Sequence, residues 1–444
     1  MISLDKLEQF RKYTYEIIGN GRDALFDLMD AVLTSRSVSS FVELSLSPLF
    51  RREWSSIYEA LQDSHPPRED LMKQYIQQMP AAEVTILAGD HTAWSRPYAV
   101  TLQERTYEHQ PQPGVGSKPV TVGQGYSTIA WIPESEGSFA LPLRHERITS
   151  FENPIQKAAS QLRLVCAEIP GTVLFLGDGE YGCAPFLQQT ADIPCIKLLR
   201  LRPNRVLYHA PKDYEGHGRP HKHGEKFSLK DSDTWSIPQA DITIAEPKLG
   251  RLQIRRWPNL HLKQAADHPF TLILVERLDM PESKPLWLIW VAKDEPILSE
   301  VWQKYLRRFA IEHWYRLVRQ RLHWTIPQLS TPAQMETWSD LMPLLTWQLW
   351  LARELVQDSP LPWQKPMTKL SPGRVANAFA LVLVRIGSPS PDPKPRGKSP
   401  GWPLGKNEPN GFVILLSKNA MPSPSKSFRC NCLAQLLPFY PLSR

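Results

Sequence analysis

The sequence predicts an α/β protein: a mixed sheet with flanking helices, interrupted by a β-rich insertion and preceded by a helical domain. Three observations lead there. Two apolar runs, VTILAGD ending at Asp90 and TVLFLGD ending at Asp178, each finish on Gly-Asp, the way a buried strand carries a carboxylate to the edge of a sheet. The interval between them holds further strand-like segments and one stretch of helical period. A long interval then separates Asp178 from the amphipathic segment Tyr305–Arg319, and short alternating runs that read as strands fill much of it.

The chain as a whole sets bounds on function. Its 444 residues suffice for two or three domains with a sizeable core. Hydrophobic content of 42% with 22% charged residues is that of an ordinary globular protein. A net charge of +7 favours a polyanionic partner without proving one. The five cysteines, Cys166, Cys183, Cys195, Cys430 and Cys432, are odd in number and form no paired CxxC motifs. That argues against a disulfide framework or zinc ribbon and fits a reducing compartment. The N-terminal MISLDKLEQF has no apolar signal core, and no apolar run reaches the roughly eighteen residues of a membrane span, so a cytoplasmic protein is expected.

In chain order, residues 1–78 read as helical, with apolar residues at helical spacing in LEQFRKYTYEII, DALFDLMDAVL and REDLMKQYIQQM. The basic residues there, including Arg11, Lys12, Arg51 and Arg52, are too scattered to mark a DNA-reading helix. A first core part, 79–208, opens with the strand ending at Asp90. The turn-rich PQPGVGSKP, the strands GYSTIAWIP and SFALPLRHERI, a helix over 154–169 and the strand ending at Asp178 follow. A short helix near Ala184–Thr190 and a fifth strand, CIKLLRLRPNRVLY, complete it. Strand, strand, strand, helix, strand, helix, strand is the order of the ribonuclease-H-like fold, a mixed five-stranded sheet. In that fold the first and fourth strands are neighbours, so Asp90 and Asp178 are expected side by side. Each aspartate could also be a turn or cap residue; the repeated strand-Gly-Asp pattern favours the sheet-edge reading.

Residues 209–292 form the β-rich insertion, with ADITIAE, RLQIRRW, FTLILVERL and PLWLIWVA as strands after a His-rich polar stretch. His217, His221 and His223 lack accompanying paired cysteines, so a basic loop is the better reading than a metal site. Residues 293–385 return to the core with the Tyr305–Arg319 helix and Trp- and Leu-rich helices after it. Residues 386–444 make a proline-dense basic linker and an irregular tail, and a shifted reading frame is one hypothesis for the final segment that begins GFVILL.

On a helical wheel, Tyr305, Arg308, Glu312, Tyr315 and Arg319 share an arc of roughly 80° at about 100° per residue. Trp302, Leu306, Phe309, Ala310 and Leu317 share another, which is expected to pack on the sheet. Such a polar row is commonly a solvated face, with Arg308 and Glu312 as an i,i+4 ion pair. The spacing Tyr-x2-Arg-x3-Glu-x6-Arg, however, resembles the Tyr-Arg-Glu-Lys signature of bacterial insertion-sequence DDE transposases, with Arg319 where that family usually has Lys.

The resemblance implies a ribonuclease-H-like core whose catalytic, metal-binding carboxylates are Asp90, Asp178 and Glu312. Three converging carboxylates repel unless cations join them. Two Mg²⁺ ions about 3.5–4 Å apart, with Mn²⁺ able to substitute, answer that need and supply phosphoryl-transfer chemistry. Asp90 would bridge both ions, while Tyr305, Arg308, Tyr315 and Arg319 would contact DNA phosphates. The family implies double-stranded DNA as partner, a helical domain that helps bind the transposon end, and cut-and-paste transposition through a hairpin. Pairing two ends makes a homodimer the natural expectation.

A tryptophan that wedges out a base would suit hairpin formation. Trp287 and Trp290 are candidates, although PLWLIWVA reads better as a buried strand. Asp294 and Glu295 compete as helix caps and Glu180 as a ligand beside Asp178. A non-catalytic DNA-binding derivative and a stand-alone metal-dependent nuclease are the rival readings.

Overall fold

The computed structural model describes residues 4–109, 120–213 and 219–393. The turn-rich PQPGVGSKP, His217, most of the proline-dense linker and the tail lie outside the described residues. The chain begins with five helices, α1 Leu4–Ile18, α2 Arg22–Thr34, α3 Phe41–Leu44, α4 Ser55–Asp63 and α5 Arg68–Gln77. The core follows with β1 Val84–Ser95, β2 Thr106–His109, β3 Val120–Trp131, β4 Leu141–Ile148, α6 Pro154–Glu168, β5 Thr172–Gly177, α7 Ala184–Gln189 and β6 Ile196–Arg200. Next come β7 Val206–Tyr208, β8 Lys226–Ser228, β9 Ala240–Glu246, β10 Gly250–Leu262, β11 Ala265–Arg277 and β12 Leu286–Val291. Four helices close the described chain, α8 Leu298–Leu306, α9 Phe309–Gln320, α10 Pro332–Ala352 and α11 Pro372–Ile386.

The fold class is as expected. Strands β4, β3, β1, β5 and β6 lie side by side, with β1, β5 and β6 mutually parallel and β3 antiparallel to both β1 and β4. This is the ribonuclease-H-like order, with the first and fourth strands of the core adjacent. The sheet is wider than the five strands expected. β12 pairs antiparallel with β6, so the insertion continues the same sheet to twelve strands among the described residues. The exposed edge of a bare core is thereby covered by chain.

One expected strand divides. CIKLLRLRPNRVLY becomes β6 and β7, which lie in different parts of the sheet, β6 between β5 and β12 and β7 beside β10. The Pro203-containing segment between them explains the break, since proline cannot continue a central ladder.

The apolar pattern sets the layers. Helix α6 starts at a capping box in which Asn153 and Gln156 satisfy each other's backbone N–H groups, and it packs on β3 and β4. On the opposite face, α10 lies across β4 and is buried almost throughout, with Trp338 and Trp347 fully enclosed. The N-terminal helices join this layer: α10 packs against α1, α2 and α4. Arg11 is buried on Asp30 at 2.8 Å and donates to Gln348, and Arg51 and Arg52 both bind the buried Asp27. These basic residues hold helices together. Among the described residues no helix is long and apolar enough to cross a membrane.

Candidate active site

Strand β1 is buried from Thr85 to Gly89 and then emerges, leaving Asp90 to Ala93 half-buried at the sheet edge. Its parallel register with β5 pairs Ala88 with Leu176, so two residues on Asp90 and Asp178 stand level on adjacent chains. Each is preceded by a glycine for a steric reason. A Cβ on Gly89 would lie 2.5 Å from the Phe175 ring, and one on Gly177 would lie 2.8 Å from Leu199. Close packing behind the aspartates thus accounts for both Gly-Asp pairs.

Each carboxylate is anchored by a backbone N–H, His91 donating to Asp90 Oδ1 at 2.9 Å and Glu180 donating to Asp178 Oδ1 at 2.9 Å. Burial raises the Asp90 carboxyl to about 6, with Asp178 adding to the rise and Arg308 opposing it.

The third carboxylate arrives differently. The helix expected over Tyr305–Arg319 is two helices, broken at Arg307 and Arg308, where tight three-residue hydrogen bonds such as Arg308 N–H to Tyr305 O (3.0 Å) replace the α-helical pattern. Arg307 is drawn out of the helix to donate to Ile132 O at 2.8 Å. The expected apolar arc divides across the break, with Trp302 and Ala310 buried as expected. Leu306 and Phe309 are 37% and 40% exposed, whereas Tyr305, Arg308 and Tyr315 are buried. The polar row therefore faces the sheet edge.

Arg308 lies between the acids, with Nη2 at 2.6 Å from Glu312 Oε1 and Nη1 at 3.8 Å from Asp90 Oδ2. Glu312 is half-exposed in the first turn of α9. Tyr315 donates its hydroxyl toward Thr128 Oγ1 (2.7 Å) and Asp90 O (3.0 Å), fastening α9 to β1 and β3. Arg319 binds Thr92 Oγ1 and the Ala93 carbonyl, the latter at 3.2 Å. The Tyr305 hydroxyl is buried beside Arg308, whose charge opposes the rise that burial gives its pKa.

Two residues complete the surroundings. Glu180, weighed as a competitor, lies 3.3 Å from His91 Nε2 and 3.3 Å from Arg202. His91 escaped the sequence reading; its only signal was adjacency to Asp90. Asp294 and Glu295 do not cap α8, whose N-cap position is Ile297 without a side-chain bond; Glu295 pairs with Arg256. Trp287 and Trp290 are buried in the sheet, as the strand reading favoured. His223 bonds His261 at 3.0 Å, and among the described residues no three His, Cys, Asp or Glu side chains form a ready cation cage.

The donor set nevertheless fits a hard divalent cation. Two carboxylates end level on neighbouring strands, one of them raised by burial, and the buried Tyr305 hydroxyl feels the charge of Asp178. What is incomplete is Glu312, held on Arg308.

No curated protein matches the chain. A family described as DDE superfamily endonuclease matches residues 15–261, more than half the chain and a span that includes Asp90 and Asp178.

Proposed function

This chain belongs to the DDE superfamily of endonucleases, whose substrate is DNA, and from that premise we propose that it is a transposase that cuts the ends of its own element and joins them to target DNA. The observation that carries the reading is the level placement of Asp90 and Asp178 at the ends of adjacent parallel strands, with a Tyr/Arg/Glu/Tyr/Arg row facing them.

Nucleases of this superfamily generally use divalent cations such as Mg²⁺. In this proposal Asp90 and Asp178 would hold the ions, and Glu312 would join once Arg308 releases it. Bound there, a pair of ions supplies an activated water or 3′-hydroxyl and stabilises the leaving oxygen.

The chain's own residues do the rest. Arg308 exchanges Glu312 and Asp90 for the scissile phosphate, so that one side chain first bridges the two acids and then positions the substrate. The Tyr305 hydroxyl, buried beside Arg308, donates to a phosphate oxygen once Arg308 turns to the substrate. Tyr315 fixes the backbone carbonyl of Asp90 and so aims its carboxylate. Arg319, fastened to the β1 backbone, turns its remaining N–H groups toward the next phosphate. The cut-and-paste order, with a hairpin between cleavage and joining, a cytoplasmic setting and a dimer that pairs two ends belong to the same proposal.

A second reading has its own observation. Glu180 sits two residues beyond Asp178 and faces His91, so a stand-alone nuclease could use Asp90, Asp178 and Glu180 without Glu312. The deciding experiment incubates a duplex carrying the element's terminal sequence with a second target duplex in Mg²⁺, comparing the intact chain with Asp178→Asn. Cleavage followed by joining of the 3′ end, both lost in Asp178→Asn while binding in EDTA persists, supports the transposase. Cleavage without joining supports the nuclease, and binding without cleavage in any metal sinks both.

A further inference from the structure

Strand β1 does not end its work at Asp90. Asp90, Thr92 and Trp94 alternate onto the face toward α9, where Thr92 receives Arg319 and Trp94 packs on Trp324 with ring centroids 5.7 Å apart. The ladder persists one residue past the strand, Arg96 N–H donating to Val122 O at 2.8 Å. Beyond it the loop that leads to β2 and the loop that follows α9 wall a cavity of about 450 Å³, lined among others by Arg96, Tyr98, Thr101, Thr325, Gln328 and Ser330. The cavity is thus built by the chain that directly continues the two elements carrying Asp90 and Glu312.

Arg96 is only 8% exposed, and its buried Nη1 has no hydrogen-bond partner among the described residues. Among the described residues no carboxylate pairs with it. Directly behind lies Arg105, 7% exposed, whose Nη1 donates to Arg96 O (3.2 Å) and Pro97 O (3.1 Å). Arg105 has no carboxylate partner among the described residues either, and burial together with this second cation pushes the Arg96 guanidinium below its ordinary range.

Two buried like charges without a counter-ion are a costly arrangement. An anion in the cavity would complete it. The neighbouring hydroxyl and amide side chains can donate to such an anion, and the Tyr98 ring, 94% exposed at the rim, offers a flat face beside it.

We propose that this cavity binds a backbone phosphate of the DNA strand that runs past Asp90, with Arg96 as the anion contact and Arg105 as the residue that positions its loop. The inference rests on the DNA reading above. At about 3.3 Å per residue, Arg96 lies roughly 20 Å beyond Asp90 along β1, a span of about six base pairs at 3.4 Å each. The site would thus grip DNA outside the cut and fix the direction in which it crosses the sheet edge.

The test is fluorescence anisotropy of a labelled random-sequence duplex in EDTA, over a salt titration, with the full chain and with Arg96→Gln. Loss of one phosphate contact should weaken binding several-fold at low salt and flatten the slope of log K against log salt by about 0.9. Because Arg96 is buried, the exposed Gln328 supplies a control that does not threaten folding. Gln328→Glu should weaken duplex binding and Gln328→Lys should steepen the slope.

Unchanged slopes and affinities in well-folded Arg96→Gln, or in both Gln328 variants, overturn the site while leaving the function standing. Arg96-dependent thermal stabilisation by inorganic phosphate, with no change in the DNA slope, also overturns it, since the cavity would then take free phosphate. If the intact chain fails to bind duplex DNA at all, the DNA reading itself falls.

Discussion

Two charge networks share the edge of this sheet, and they are built on opposite plans. Around β4 every charge is answered at contact distance. Arg147 lies 2.7 Å from both Glu104 and Glu336, Arg68 lies 2.8 Å from Asp340 and 3.1 Å from Glu336, and Lys157 lies 2.8 Å from Glu152. Around β1 and β5 the pairing is looser: the nearest guanidinium to Asp90 is 3.8 Å away, and Asp178 is in no ion pair among the described residues. Burial raises Asp340 to about 7 just as it raises Asp90 to about 6, so a raised carboxyl does not separate the two networks. The distance to the counter-charge does. A closed network is a structural joint, whereas an open one is complete only with something bound.

The largest effect sharpens this comparison at its undecided member. If Glu312 joins the open network as a metal-site carboxylate, Glu312→Gln should lower Mg²⁺-dependent cleavage by about 10³-fold, a loss of several kcal/mol of charge stabilisation. Glu180→Gln should cost about tenfold or less, through misplacement of His91. Single-turnover rates on a labelled duplex measure both. The reverse ranking would transfer the third position to Glu180.

The next effect concerns stability. Asp90 has a folded-state value near 6 against an ordinary 3.8, so its carboxyl favours folding below about pH 4 and that contribution is lost as pH rises through 6. Above that the ionised group costs up to about 3 kcal/mol. In EDTA, Asp90→Asn should therefore be more stable than the intact chain at pH 7.5, with the difference gone near pH 4. Mg²⁺ at a hundredfold its Kd should return about 2.7 kcal/mol to the intact chain and nothing to the variant. Urea denaturation at the two pH values reads both. Equal stability at pH 7.5 in EDTA would mean that Asp90 is already neutralised and that the network is not open.

Much of this was legible in the sequence because it is local. Gly-Asp at the end of an apolar run, the strand order and the spacing of the Tyr305–Arg319 row are all readable along the chain, and the structure brings Asp90 beside Asp178 and Arg308 beside Glu312. What was not legible depends on distant partners. The break at Arg307 is held by Ile132 O, which no helical wheel contains. The burial of Tyr315 follows from Thr128 on another strand. The extension of the sheet through β12 depends on pairing with β6 far upstream, and the roles of Arg11 and Arg51 as helix ties depend on Asp30 and Asp27. Arg319 shows both sides: its place in the row was readable, but its bonds to Thr92 and Ala93 were not.

The smallest effect is the one that could break the comparison outright. Arg147 is 7% exposed, and removing it leaves Glu336 with Arg68 as its remaining partner and Glu104 with none in this network. Loss of one member of a fully buried pair costs about 3–5 kcal/mol, but Glu104 and Glu336 are 36% and 26% exposed and can rehydrate, so about 2 kcal/mol is expected for Arg147→Ala. Adding Glu104→Gln to that variant should recover part of the loss, because it removes the unanswered charge. Urea denaturation measures both variants. Cleavage rate and salt slope on duplex DNA should stay within about twofold of the intact chain, since a joint whose charges answer each other has none left for phosphate. If Arg147→Ala instead leaves stability untouched while flattening the salt slope, Arg147 exchanges its carboxylates for DNA as Arg308 is proposed to do. Closed pairing in the free protein would then be a resting state in both networks, and distance to the counter-charge would no longer tell a joint from a site.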